Sequence, residues 1–389
     1  MVAGAGSGVE SVVSVGVVAE QVAGEARVAL VPGMVQRLTQ RGVGVVVASG
    51  AGVGAFVSDE AFVAAGARVG DPWEADIVVC VHAPGEADVA RARPGAVVVG
   101  FVDPYAGSER FERWDRLGVV GFALESVPRI SRAQAMDALS SQANVAGYRA
   151  VLVGAWHLPR FFPMLTTAAG TVKPASVLVL GAGVAGLQAL ATAKRLGARA
   201  SGYDVRPEVA DQVRSVGARW LDLGIEAVGE GGYARELSED ERAEQQRRLG
   251  EAITGFDVVI TTALVPGRAA PRLVSAEAVA GMAPGSVVVD LAGEAGGNCE
   301  LTQPGEVVTA HGVTIAAPAN LPGEMPGHAS ELYARNIVEF LELVIGEGGL
   351  TLDAGDPIIA EACVSGRDRL TWPTEAAAGE SGAAGKEVW

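Results

Sequence analysis

Residues 176–186 constrain the fold of this chain more than any other stretch. The run Ser176-Val177-Leu178-Val179-Leu180 is short and apolar, and it ends in Gly181-Ala182-Gly183-Val184-Ala185-Gly186, where a helical pattern begins. Strand, glycine turn and helix in that order predict a dinucleotide-binding unit. Gly181 permits the tight turn, Gly183 lets the backbone approach a pyrophosphate, and Gly186 lets helix and strand pack closely. The helix N-terminus adds free N–H groups and a partial positive charge. Asp204 ends the next expected strand, 18 residues beyond Gly186. A carboxylate there accepts hydrogen bonds from the ribose hydroxyls of NAD and repels the 2′-phosphate of NADP, so NAD is the expected cofactor. Arg206 is expected to neutralise Asp204 or to cap the next helix, with facing a phosphate as the alternative.

The surrounding pattern agrees with an α/β chain. Apolar runs at 11–18, 43–48, 76–81, 96–101 and 119–122 are interleaved with helical patches at 33–40, 59–64 and 109–117. Runs this short, alternating with helices, imply a parallel sheet covered on both faces. From 131 to about 158, Met136, Leu139, Ala143, Ala146, Ala150 and Val153 recur at helical spacing, between Pro128 and Pro159. A second set of strands is expected at 175–180, 199–203, 257–261, 286–290 and 313–316. Helices are expected at 185–196, 207–215, 238–253 and 275–280, and a return helix from His328 to about 345. The expected fold is two Rossmann-like, doubly wound parallel-sheet domains joined by long crossing helices. The boundaries are 11–133 with 329–372 for the N-terminal domain and 134–328 for the NAD(H)-binding one, with flexible tails at 1–10 and 373–389.

Composition excludes several function classes. Asp plus Glu number 46 against 30 for Lys plus Arg, a net charge of −16, which repels nucleic acid and anionic lipid. Cys80, Cys299 and Cys363 are odd in number and widely spaced, which argues against a disulfide framework or a zinc site and fits a reducing cytoplasm. No metal is expected. No secretory pattern is evident, and the apolar run 177–193 is split by Gly181, Gly183 and Gly186, so no direct membrane insertion is expected. His82 is assigned to a surface loop, His157 to a helix end and His311 to a turn between strands.

The segment PRISRAQAMDALSSQAN (128–144) resembles the signature of the NAD(H)-binding component of proton-translocating transhydrogenases. The likeness continues through Thr166-Thr167-Ala168-Ala169-Gly170, GAGVAGLQA (181–189), DVRP (204–207), Gly231-Gly232-Tyr233-Ala234, ITTALVPGR (260–268), VVVDLA (287–292), GGNCE (296–300) and LYARN (332–336). So many blocks in order, over roughly 12–345, identify the chain as a member of the alanine dehydrogenase and transhydrogenase superfamily.

The resemblance implies hydride transfer between NADH bound here and NADP on a partner subunit, coupled to proton translocation by a membrane-embedded subunit. It implies a homodimer, cytoplasmic and peripheral on the inner face of the cell membrane. Gln134 is expected to position the two nicotinamide rings, while Arg129 and Asp137, with Ser140 beside them, shape its loop. Cofactor contacts are expected from the glycine turn with Val184 and Ala185, from Asp204, Val205 and Arg206, from Thr262, Ala263 and Leu264, and from Tyr233 in a mobile loop.

Proton chemistry separates the branches of this superfamily. Amino-acid dehydrogenases move a proton with the hydride and need a general acid or base. In the matching stretch, Val79-Cys80-Val81-His82-Ala83-Pro84, Cys80 stands where the alanine dehydrogenases are expected to carry lysine, and no histidine follows in Gly100-Phe101-Val102-Asp103-Pro104. Transfer between two nicotinamides needs no proton donor. The competing expectations are a stand-alone amino or imino acid oxidoreductase using Arg27 for the substrate carboxylate, and a non-catalytic NADH-binding module. Ala19 and Glu324 depart from the family pattern, the latter as a charge reversal.

Overall fold

The computed structural model describes residues 13–225, 237–264 and 267–371. The expected tails at 1–10 and 373–389, and the expected loop around Tyr233, lie outside the described residues. Two compact units are present, Met1–Ser141 with Pro326–Trp389 and Gln142–Met325, each considered over its described residues.

The first unit contains β1 (Ser14–Val17), β2 (Gly44–Val47), β3 (Arg68–Val69), β4 (Ile77–His82), β5 (Val97–Phe101) and β6 (Val120–Ala123). The second contains β7 (Leu165–Thr167), β8 (Gly170–Val172), β9 (Ser176–Leu180), β10 (Arg199–Tyr203), β11 (Arg219–Trp220), β12 (Val258–Thr261), β13 (Val287–Asp290), β14 (Val307–Ala310) and β15 (Val313–Ala316). The last three strands, β16 (Ile345–Gly346), β17 (Gly349–Leu350) and β18 (Cys363–Ser365), belong to the first unit again.

Each unit is built on a seven-stranded sheet, in the orders β18-β6-β5-β4-β1-β2-β3 and β11-β10-β9-β12-β13-β15-β14. All pairings are parallel except at one edge of each sheet, where β18 runs antiparallel to β6 and β14 to β15. Those two edge strands were absent from the sequence expectation. They are short, partly polar segments whose strand character comes from the neighbour they pair with rather than from their own apolar pattern. Strand order reverses between β1 and β4 in one sheet and between β9 and β12 in the other. In doubly wound sheets the crevice outside the carboxyl ends at such a point is where ligands bind.

Alternation along the strands explains how each sheet is buried on both faces. In the first unit Ile77, Val79 and Val81 join Val15, Val17, Val97 and Val99 in one core. Val78, Cys80 and Val98 fall on the other face with Phe111 and Trp114. Those two aromatics, three apart on the helix Glu109–Leu117, meet edge to face at 5.7 Å. The second unit repeats the scheme, with Val177, Val179, Val258 and Ile260 on one face and Leu178, Leu180 and Val259 on the other.

The helix expected from residue 131 is interrupted. Ser131–Met136 is a 3-10 turn, Asp137 leaves the helical region at ψ 82°, and the α-helix proper is Ala138–His157. The Asp137 carboxylate accepts from the Ser140 N–H at 2.8 Å and from its hydroxyl at 2.6 Å, which makes Asp137 the cap of that helix. Helical spacing of apolar residues continues through such a break, so periodicity alone did not reveal it. The second long helix, Pro326–Val344, lies wholly in the first unit rather than crossing into it.

Candidate functional site

The glycine turn lies at the carboxyl end of β9, at the reversal point of the second sheet. Gly181 has φ +98°, and a Cβ on it would meet Thr262 Oγ1 at 2.7 Å. Its N–H donates to the Tyr203 carbonyl at 2.9 Å, which ties the turn to the end of β10. Gly183 precedes the helix Val184–Arg195 in extended backbone. A Cβ on Gly186 would stand 1.9 Å from the Gly181 oxygen, whereas a Cβ on Gly183 would meet nothing within 4 Å. Gly186 therefore serves packing, and Gly183 borders open space at the helix N-terminus. The N–H groups of Val184, Ala185 and Gly186 have no acceptor within their own helix, and the dipole favours an anion there. This arrangement fits a dinucleotide pyrophosphate.

Asp204 follows β10 and is 8% exposed. One oxygen accepts from the Ala182 N–H at 2.8 Å, so the carboxylate is fixed to the glycine turn. Arg206 lies across both oxygens, with Nε 2.9 Å from Oδ1 and Nη2 2.8 Å from Oδ2. Burial works to raise the Asp204 pKa, but the Arg206 guanidinium and the Ala182 N–H outweigh it and hold the carboxyl below its ordinary value. Val205 and Arg206 are half-buried beside it.

On the other side of the turn, Thr262 donates from its N–H to the Leu180 carbonyl at 2.8 Å and from Oγ1 to the Gly181 carbonyl at 3.0 Å. Ala263 is held by a residue that sequence reasoning missed. Asn298 is fully buried, accepts from the Ala263 N–H at 3.1 Å, and donates to the carbonyls of Ala263 at 2.9 Å and Pro271 at 2.8 Å. The GGNCE block marks it, but its role depends on a contact 35 residues away. Leu264 is 53% exposed.

Arg129, Gln134, Asp137 and Ser140 belong to the first unit. Asp137 and Ser140 are brought together as the helix cap described above, while Arg129 and Gln134 are exposed. His82 is not in a surface loop. It is the last residue of β4, and its Nε2 lies 2.7 Å from Glu25 Oε2. Glu25 also receives Arg27 Nε at 2.8 Å and Nη2 at 2.6 Å. Glu20 accepts from the N–H groups of Val81 at 2.6 Å and His82 at 3.1 Å. Burial pushes the Glu20 carboxyl upward against those bonds. For Glu25, burial is outweighed by Arg27 and His82, and its pKa falls well below the carboxylate range. A cavity of about 330 Å³ opens here at the reversal point of the first sheet, lined by Glu20, Trp73, His82, Asp88 and Arg91 among others. Cys80, by contrast, is sealed in the core, and burial raises its thiol pKa. Among the described residues no group of His, Cys, Asp and Glu is arranged to hold a metal ion.

Comparison with known proteins places this geometry in context. Residues 16–146 match the alanine dehydrogenase/PNT N-terminal domain and residues 150–373 the corresponding C-terminal domain. The chain is 43% identical over 366 residues to the first polypeptide of the NAD(P) transhydrogenase alpha subunit of Rhodospirillum rubrum, covering 90% of this chain and 95% of the relative. It is 30% identical to alanine dehydrogenase of Mycolicibacterium smegmatis, covering 89% of this chain and 91% of that one. The crystal structure of transhydrogenase from Sinorhizobium meliloti superposes with a TM-score of 0.83 at 44% identity, covering 90% of this chain and 98% of the other. Two domain matches in order and relatives of matching length leave one assignment: the chain belongs to the alanine dehydrogenase/PNT family.

Proposed function

We propose that this chain is the NAD(H)-binding subunit of an NAD(P) transhydrogenase. In this reading it passes hydride between NADH and an NADP held on a partner subunit, and membrane-embedded subunits couple the transfer to proton movement. The observation that carries it is the contrast in identity, 43% to a transhydrogenase alpha subunit against 30% to an alanine dehydrogenase, at similar coverage. The nicotinamide supplies the hydride. The chain's own residues bind and orient: the turn Gly181–Gly186 takes the pyrophosphate, Asp204 selects NAD over NADP, and Gln134 positions the rings. Catalysis is then a matter of placement, which can supply several kcal/mol of a barrier without any proton transfer. Cys80, buried and neutral, offers no acid or base.

The same reading makes the chain a homodimer docked peripherally at the cytoplasmic side of a membrane complex. No helix among the described residues is long and apolar enough to cross a membrane. Support for the dimer comes from the hairpin β7–β8, a two-stranded sheet of its own with Thr166, Thr167, Gly170, Thr171 and Val172 exposed. A two-stranded hairpin is marginal in water by itself. Nearby in sequence, Trp156, Phe161 and Met164 are 85%, 55% and 62% exposed.

A second reading, a stand-alone oxidoreductase of an amino or imino acid, is favoured by one observation. His82 and Glu25 form a dyad beside a cavity large enough for a small metabolite, with Arg27 adjacent. One experiment separates the two. The purified chain is mixed with a transhydrogenase NADP-binding component, an NAD analogue and NADPH, and compared with the chain alone plus small amino or imino acids. Transfer only in the presence of the NADP-binding component supports the proposed function. Turnover of a metabolite by the chain alone, with a pH profile abolished in His82→Ala, supports the second reading and overturns the first.

A further inference from the structure

We infer that Asn336 and Asp356, in the C-terminal segment of the first unit, are positioning residues that tether the turn displaying Gln134. The inference rests on the role proposed above for Gln134. Its basis is the cross-section of the 3-10 turn Ser131–Met136. With three residues per turn, positions i and i+3 share an edge, so the six residues sort onto three edges. Ala133 and Met136, 1% and 7% exposed, form the edge set into the core. Arg132 and Ala135 form the second edge, and both are held from outside. Arg132 Nη1 and Nη2 reach the two Asp356 oxygens at 2.8 and 2.6 Å. The Ala135 carbonyl accepts from Asn336 Nδ2 at 2.8 Å. Ser131 and Gln134 share the third edge and face solvent.

A 3-10 segment of this length has poor internal hydrogen-bond geometry and does not hold itself. Besides the packing of Ala133 and Met136, two contacts from more than 200 residues away hold it. Asn336 is an unusual choice for stability alone. It is 8% exposed, and its Oδ1 is buried without a hydrogen-bond partner among the described residues. A buried orphan acceptor carries a desolvation penalty that an apolar residue of the same shape avoids. Turning the amide over would set two acceptors against each other at Ala135. Among the described residues its one hydrogen bond goes from Nδ2 to the backbone of Ala135, next to Gln134. Asp356 has two duties: besides Arg132, its Oδ1 accepts from the Ile358 N–H at 2.9 Å and caps the helix Pro357–Ala362. The tether therefore ties the Gln134 turn to two helices of one unit.

The test uses the full chain. Asn336→Leu removes the donor at nearly constant volume. Arg132→Ala and Asp356→Ser break the ion pair, and the serine hydroxyl keeps an acceptor for the Ile358 N–H. Hydrogen exchange of the segment 129–138 is read first, because it needs neither nucleotide nor partner. Faster exchange there in Asn336→Leu, with an undiminished melting temperature, is expected; unchanged exchange overturns the tether. In the reconstituted transfer reaction, Asn336→Leu is expected to lower kcat about tenfold or more while leaving NADH affinity unchanged. Arg132→Ala with Asp356→Ser is expected to be no worse than the stronger single variant, because both break one contact. A kcat equal to the parent's, or one that falls only in step with NADH affinity, overturns the positioning role. Gln134→Ala is the control. If it leaves the rate unchanged, the function proposed for Gln134 falls, and the exchange experiment still decides whether the turn is tethered.

Discussion

His82 Nε2 lies 2.7 Å from Glu25 Oε2, although the two residues are 57 apart in the chain. The same oxygen receives Arg27 Nη2 at 2.6 Å, and the Glu25 side chain is fully buried, so one shielded carboxylate serves the buried Arg27 and the partly exposed His82. Removing one member of a buried pair leaves the other uncompensated, typically at about 3–5 kcal/mol. Glu25→Gln is therefore expected to destabilise the chain by about 3 kcal/mol at pH 7. The folded-state pKa of Glu25 is depressed, so its contribution is fully present above the unfolded value of about 4.3 and fades as pH falls below it. Urea denaturation of parent and variant at pH 7 and at pH 3 checks this. Equal gaps at both values would count against the pairing.

Asp204 is expected to set cofactor choice. With Asp204→Asn, the acceptor for the Ala182 N–H can be kept while the charge that repels a 2′-phosphate is lost, leaving Arg206 to meet it. The ratio of NADPH to NADH affinity should rise about tenfold, roughly 1.4 kcal/mol. Fluorescence titration with the two reduced nucleotides measures it, and an unchanged ratio would remove Asp204 from the specificity argument.

Two glycines of one motif should respond in opposite ways. Gly183→Ala adds a methyl group that meets nothing, so stability should stay within about 0.5 kcal/mol of the parent while NADH affinity falls about tenfold. Gly186→Ala drives a methyl group against the Gly181 oxygen and should cost about 1–3 kcal/mol of stability. Melting curves with and without NADH distinguish them. Similar losses for both variants would mean that Gly183 is a packing residue too.

The β7–β8 hairpin carries the dimer prediction. Replacing residues 165–172 by two glycines is expected to give a monomer by light scattering, with NADH still bound at the glycine turn. A dimer that survives the replacement would place the interface elsewhere.

What could be read beforehand was whatever the chain writes locally. The turn Gly181–Gly186, its flanking strand and helix, and Asp204 all fall within one short stretch whose residue types admit few backbone paths. The valine runs of β4 and β12 announced buried parallel strands for the same reason. Asp137 was harder, because helical spacing of Met136, Leu139 and Ala143 runs straight through a cap that only the Asp137–Ser140 bonds reveal. Contacts across long separations were not legible at all. Nothing in the order of residues pairs His82 with Glu25, Asn298 with Ala263, or Asn336 with Ala135, and His82 reads as a loop residue because a strand end and a loop look alike in sequence.

The alternation that seals β4 has a further consequence. Water reaches neither side of Ile77 through Val81, and the first accessible atom along that strand is in the imidazole of His82. The slab behind it is chemically mute. Side chains at the tip of this strand can change without disturbing the wall of valines behind them.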